Sequence, residues 1–145
     1  MKNKIVILCF LLLGFQACQN GSDYKSVRKE VLDAHDKVMM DGETAIKNKM
    51  SLDTILANLD SLHTAKIIAD TTVERQAIGK LQSKLNAADE QMNDWMHEFN
   101  AELDGKSNEE AVVYFKAEQE KVERLDSIYR AATGESDAFI KRIKK

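Results

Sequence analysis

Between residues 78 and 103, apolar side chains return every three or four positions: Ile78, Leu81, Leu85, Ala88, Met92, Trp95, Met96, Phe99 and Leu103. A helix places residues three and four apart on one face, so a run this long calls for an amphipathic helix with its stripe turned to a core. The chain contains no proline. An interior proline costs a helix about 3 kcal/mol or more, so nothing of that kind breaks such helices here.

The same period recurs on both sides. Tyr24, Val27, Val31, His35, Val38, Gly42 and Ala45 or Ile46 mark a first helix, with Ser22 or Asp23 as its N-cap. Leu52, Ile55, Leu56, Leu59 and Leu62, capped by Ser51, continue or restart it. Ala69-Asp70-Thr71-Thr72 breaks the pattern, and Thr71 with Glu74 reads as a capping box for the second helix. That helix is expected to stop at Asp104-Gly105, where glycine accepts the left-handed conformation. Ser107 with Glu110 opens a third helix, whose stripe is Ala111, Tyr114/Phe115, Val122, Leu125, Ile128/Tyr129 and Ala132. Gly134 is expected to interrupt it, leaving Phe139 to Lys145 as a short basic amphipathic end. Short connections make successive helices antiparallel. The expected fold is all-α: an antiparallel three-helix bundle, or a long coiled helical hairpin with a third helix.

The N-terminus carries an address. Lys2 and Lys4 precede the apolar run from Ile5 to Leu13, and Gly14-Phe15-Gln16-Ala17-Cys18 follows. That is the layout of a secretory signal. The run from Ile5 to Phe15 is too short to cross a hydrocarbon core, which takes about 20 apolar residues as a helix. An ordinary signal peptidase needs small residues at −3 and −1, and Phe15 is too bulky for a cut after Ala17. A lipoprotein peptidase needs cysteine at +1, a small residue at −1, and accepts a larger apolar residue at −3. Phe15-Gln16-Ala17-Cys18 resembles such a lipobox, although Phe15 and Gln16 depart from its commoner residues. The expected organisation is a removed lipoprotein signal peptide over 1–17, a lipidated Cys18 with a polar tether over 18–22, and a single helical bundle domain over 23–145.

Several function classes fall away. With the leader gone, 19 basic residues face 24 acidic ones, a balance that argues against nucleic acid as a partner. Cys9 leaves with the leader, so the mature chain holds one cysteine and no internal disulfide or thiolate-rich zinc site. There is no Gly-rich phosphate loop, nucleophile elbow or Cys/His pair, so the expectation is a non-enzymatic chain. Asp60-x-x-His63 and Asp94-x-x-His97 have a spacing related to di-iron bundles, but Asp94 and His97 fall on the polar side of their helix. His35-Asp36 alone is too little for a phosphohydrolase. The basic C-terminal end suits either an anionic lipid surface or, the favoured reading, the negative end of the last helix.

One constellation carries possible chemistry: His35, Met39, Met92 and Met96, with Trp95 beside them. Thioether and imidazole are soft donors suited to Cu(I), and a His/Met pair inside a bundle can hold non-covalent haem from both sides. Methionine also fills irregular gaps in helical cores, the commoner use of such a stripe. The principal expectation is therefore a module with no cofactor, with copper or haem binding through these four residues as the alternative.

The stretches Glu30-Val31-Leu32-Asp33-Ala34-His35-Asp36-Lys37-Val38-Met39 and Ala88-Asp89-Glu90-Gln91-Met92-Asn93-Asp94-Trp95-Met96-His97-Glu98-Phe99, behind a lipobox, are similar to a small helical lipoprotein family of Bacteroidota. Its members often carry the label "viral A-type inclusion protein". The stretch from Tyr114-Phe115-Lys116 to Ile128 is similar as well, so the resemblance covers most of the mature chain. Members often have a second methionine one turn after the first-helix methionine, where this chain has Gly42. The family has no established activity, so the resemblance implies fold and location: a lipid-anchored, helical cell-envelope module. Gln19, in place of the aspartate that retains many lipoproteins at the inner membrane, points to the outer membrane. An envelope protein is the expected partner besides the membrane that holds the anchor.

Overall fold

The computed structural model describes residues 23–144, and the stripes become four helices: α1 (Tyr24–Ala57), α2 (Leu59–Thr64), α3 (Thr71–Glu98) and α4 (Asn108–Ile143). The signal peptide, Cys18, the tether over 18–22 and the Ser22 capping option lie outside the described residues. Asp23 is the N-cap of α1, its carboxylate accepting from the Lys25 backbone N–H. Ser51 starts nothing, because α1 runs straight through it to a break at Asn58. α2 is a short continuation beyond that break. The described part is all-α, three long helices with one short extension.

Buried residues reveal a stricter period than spacing alone had suggested. In α3 they are Glu74, Ile78, Leu81, Leu85, Ala88, Met92 and Trp95, with Phe99 half-buried beyond the helix end. In α4 they include Ala111, Phe115, Glu118, Val122, Leu125, Tyr129, Ala132, Ser136, Phe139 and Ile143. Both alternate four and three throughout, the heptad seam of a coiled coil. α1 keeps the same alternation through Val27, Val31, Val38, Ala45, Asn48, Leu52 and Ile55, with Ala34 and Asp41 half-buried at the intervening places. Such a 3.5-residue repeat winds straight helices into a left-handed supercoil.

Cross-helix bonds give the directions. Tyr24 N–H donates to Asn108 Oδ1 at 3.0 Å, Lys37 pairs with Asp126 at 3.2 Å, and Asn48 Nδ2 donates to Ser136 Oγ at 2.9 Å. Partner numbers rise together, so α1 and α4 are parallel. α3 opposes both: Gln82 Nε2 donates to Asp53 Oδ1 of α1 at 2.6 Å, and Arg142 of α4 grips Glu74. The chain thus runs up, down and up around one continuous apolar core.

Four details differ from expectation. The N-cap of α3 is Asp70, whose carboxylate accepts from Thr72 and Val73, and Thr71 is already helical. Glu74 is turned instead toward Arg142, which donates to its two oxygens at 3.0 and 2.7 Å. α3 ends at Glu98 rather than Asp104-Gly105, because Phe99 leaves the helix to pack with Leu103 against the core. Gly105 does take a positive φ of 77°, but in mid-loop. α4 crosses Gly134 without a break, since burial of Thr133, Ser136 and Phe139 around it outweighs the ~1 kcal/mol helix cost of glycine. The C-terminal end is no free amphipathic segment either. Phe139, Ile140 and Ile143 are buried, and the Arg142 guanidinium lies 4.8 Å from the Phe139 ring centroid. Ser107 and Glu110 form the expected capping box at the start of α4. No helix among the described residues is long and apolar enough to cross a membrane.

Candidate functional site

The end of the bundle where α1 and α4 begin and α3 finishes holds most of the aromatic side chains. Trp95 is the hub. It occupies a core position of α3, stacks on His35 of α1 with centroids 5.5 Å apart, and on Phe99 at 4.8 Å. Phe99 contacts Tyr114 and Phe115, and Phe115 stacks on Tyr24 at 6.4 Å. The heptad seam places these rings, because each belongs to, or flanks, a core position at this end of the bundle.

Two polar groups are drawn into this apolar end. The indole Nε1–H of Trp95 donates to Glu118 Oε2 at 2.8 Å, and Lys121 Nζ donates to Glu118 Oε1 at 2.8 Å. Glu118 is buried, so both carboxylate oxygens are engaged where water is scarce. The hydrogen bond to Glu118 holds the Lys121 ammonium above its ordinary pKa. A surface groove of about 260 Å³ opens beside this trio, lined from α3 by Gln91, Asp94, Trp95 and Glu98, and from α4 by Lys121, Arg124, Leu125 and Ile128.

His35 sits at the seam's edge. Its Nδ1 lies 3.1 Å from Asp36 Oδ1, and its Nε2 is enclosed yet meets no hydrogen-bond partner. A carboxylate only accepts, so in the neutral form of the ring the hydrogen belongs on Nδ1 and the lone pair on Nε2. Of the three methionines grouped with it by spacing, Met92 is 2% exposed and packs in the core, whereas Met39 and Met96 stand at the surface, 43% and 41% exposed. The four do not share one buried chamber. Holding haem between His35 and Met92 would require Trp95 to leave its stack on the imidazole. Asp60, His63, Asp94 and His97 are all exposed, and among the described residues no His, Cys, Asp or Glu cluster could hold a metal ion.

Glu118, Asn48 and Ser136 give no local signal in the sequence, and Glu74 reads there only as half of a capping box. They show once the heptad is written out, as polar residues standing at positions the alternation assigns to the core. Asn48 donates to Ser136, to Asp137 and to the Thr133 carbonyl. These contacts lock the axial register of α1 against α4, as a single buried asparagine does in other coiled coils. Compared with known protein families, with curated proteins and with solved structures, the chain finds no match.

Proposed function

We propose that this chain is a lipid-anchored helical module of the bacterial cell envelope, attached to the outer membrane through Cys18 and working by contact with an envelope protein. The observation that carries the reading is Phe15-Gln16-Ala17-Cys18 behind a short apolar run and two lysines. A diacylated cysteine supplies the two-chain attachment that stable anchoring takes. Five residues from Cys18 to Ser22 extend at most about 18 Å, so the aromatic end of the bundle stays near the bilayer. α1, at 34 residues, spans roughly 50 Å, enough to carry its far end well clear of the headgroups.

The contact face we assign is the outer side of α1. Met40, Ile46 and Met50 are 71%, 54% and 65% exposed, grouped within about three turns on an otherwise charged surface. A grouped apolar patch of this kind is more than the scattered exposure any protein shows, and flexible methionines suit a surface that must adapt to a partner. The resemblance to the Bacteroidota lipoproteins supports the same location.

Mass spectrometry of the protein from its native membrane tests the anchor. The expected mature product begins at Cys18 and carries a diacylglyceryl thioether, and Cys18→Ser accumulates as uncleaved precursor. An unmodified Cys18, or another mature N-terminus, overturns the reading. A photo-crosslinker at Met40 or Met50 is expected to give a discrete adduct in cells, and one at Glu90 on the exposed side of α3 is not.

A further inference from the structure

We infer that His35, Met39 and Met96 form a Cu(I) site on the edge between α1 and α3, closed on one side by the Trp95 indole. Three observations carry it. First, the imidazole is arranged as a ligand: Asp36 engages Nδ1 at 3.1 Å, leaving the Nε2 lone pair enclosed without a protein partner. A metal-bound histidine is oriented in the same way, by an acceptor on its other nitrogen.

Second, the register brings two thioethers to the same edge. Gln82 of α3 is hydrogen-bonded to Asp53 of α1 at 2.6 Å. The two helices are antiparallel, and Trp95 of α3 stacks on His35 of α1, so Met96, the residue after Trp95, comes beside His35 on the outer border of the same seam. Met39 lies one turn beyond His35, and helical side chains lean toward the helix N-terminus, which inclines Met39 back over the imidazole. Both methionines are exposed enough to move toward an ion and to let it enter.

Third, the donor set is chemically selective. Two thioethers and one neutral imidazole are soft ligands carrying no charge, a combination that suits Cu(I) and discriminates against magnesium, calcium and manganese, which take oxygen donors. Trp95, stacked 5.5 Å from the imidazole, presents its ring to the bound cation and keeps water from that side. Met92 takes no part, being committed to the core.

The site is independent of the lipid anchor, and so is its test. The full chain in detergent, carrying Cys9→Ser and Cys18→Ser so that no thiol competes, is titrated anaerobically with Cu(I) against a chromophoric Cu(I) chelator. One equivalent is expected to bind and to quench the emission of Trp95, the chain's single tryptophan. X-ray absorption is expected to show two sulfur and one nitrogen neighbours. Met39→Leu with Met96→Leu preserves apolar bulk at exposed positions and is expected to weaken binding at least tenfold with the thermal melt unchanged. His35→Gln is expected to do the same. Met40→Leu with Met50→Leu is expected to bind as the parent does. No uptake at micromolar Cu(I), unaltered binding in the Met39/Met96 variant, or loss of binding in the Met40/Met50 variant overturns the assignment.

Discussion

Tyr129 stands where the three long helices meet. Its hydroxyl donates to Asp89 of α3 at 2.8 Å, and Asp89 is ion-paired with Lys49 of α1. Burial, and then the bond to the negative Asp89, push the phenol pKa well above its ordinary value. The native state therefore favours the protonated form, and that contribution is complete below the unfolded pKa near 10 and declines as pH rises beyond it. Stability measured by urea unfolding is expected to fall by up to about 1.4 kcal/mol per pH unit above pH 10 on account of this residue, and Tyr129→Phe should flatten that alkaline slope. Gly42 faces the same ring, and a Cβ there would stand 3.8 Å from it, ordinary van der Waals contact. Gly42→Ala is expected to stabilise the bundle by roughly 1 kcal/mol in the same assay, the helix-propensity difference. Legibility at this scale was uneven. Met92 and Met96 share a face at helical spacing, and only the stricter alternation through Leu85, Ala88, Met92, Trp95 and Phe99 puts Trp95 inside and Met96 at the edge. By spacing alone His35 is a stripe residue. The ring it stacks on, Trp95, stands 60 positions away in the chain.

At the scale of elements, the helices were written in their stripes while their ends were decided by competition among nearby groups. Ser107 and Glu110 announced the start of α4 because both halves of that box are local. Thr71 and Glu74 matched the same pattern, but Asp70 was available one residue earlier and Glu74 found a stronger, charge-assisted partner in Arg142. The buried polar contacts between α1 and α4 act here as well. Asn48→Leu removes the three bonds made by Asn48 Nδ2, yet Ser136 keeps its bond to the Ala132 carbonyl at 2.8 Å, so that hydroxyl is not orphaned. We expect the urea midpoint of Asn48→Leu to rise, by about 1 kcal/mol in stability, while light scattering shows larger species beside the parent form. A buried polar group in a coiled coil trades stability for one register and one assembly state.

For the molecule as a whole, the last nine residues distinguish a packed end from a lipid-facing one. Phe139, Ile140 and Ile143 each lose nearly all contact with water, and burying a large apolar side chain contributes about 1.5–3 kcal/mol. Deleting residues 137–145 should therefore destabilise the bundle by on the order of 5 kcal/mol, read as early unfolding in urea and rapid proteolysis. An independent basic tail would leave both unchanged. The sequence by itself determined the all-α class, the three long stripes and the capping box at Ser107, because helical periodicity and caps are properties of neighbouring residues and backbone geometry. Only the tertiary structure decided that α1 and α4 share a parallel register pinned by Asn48, that Glu118 holds the Trp95 indole inside, and that the charged C-terminal stretch closes the core. Each of those outcomes depends on groups dozens of positions apart meeting where water is excluded, and no local pattern records which partner will be there.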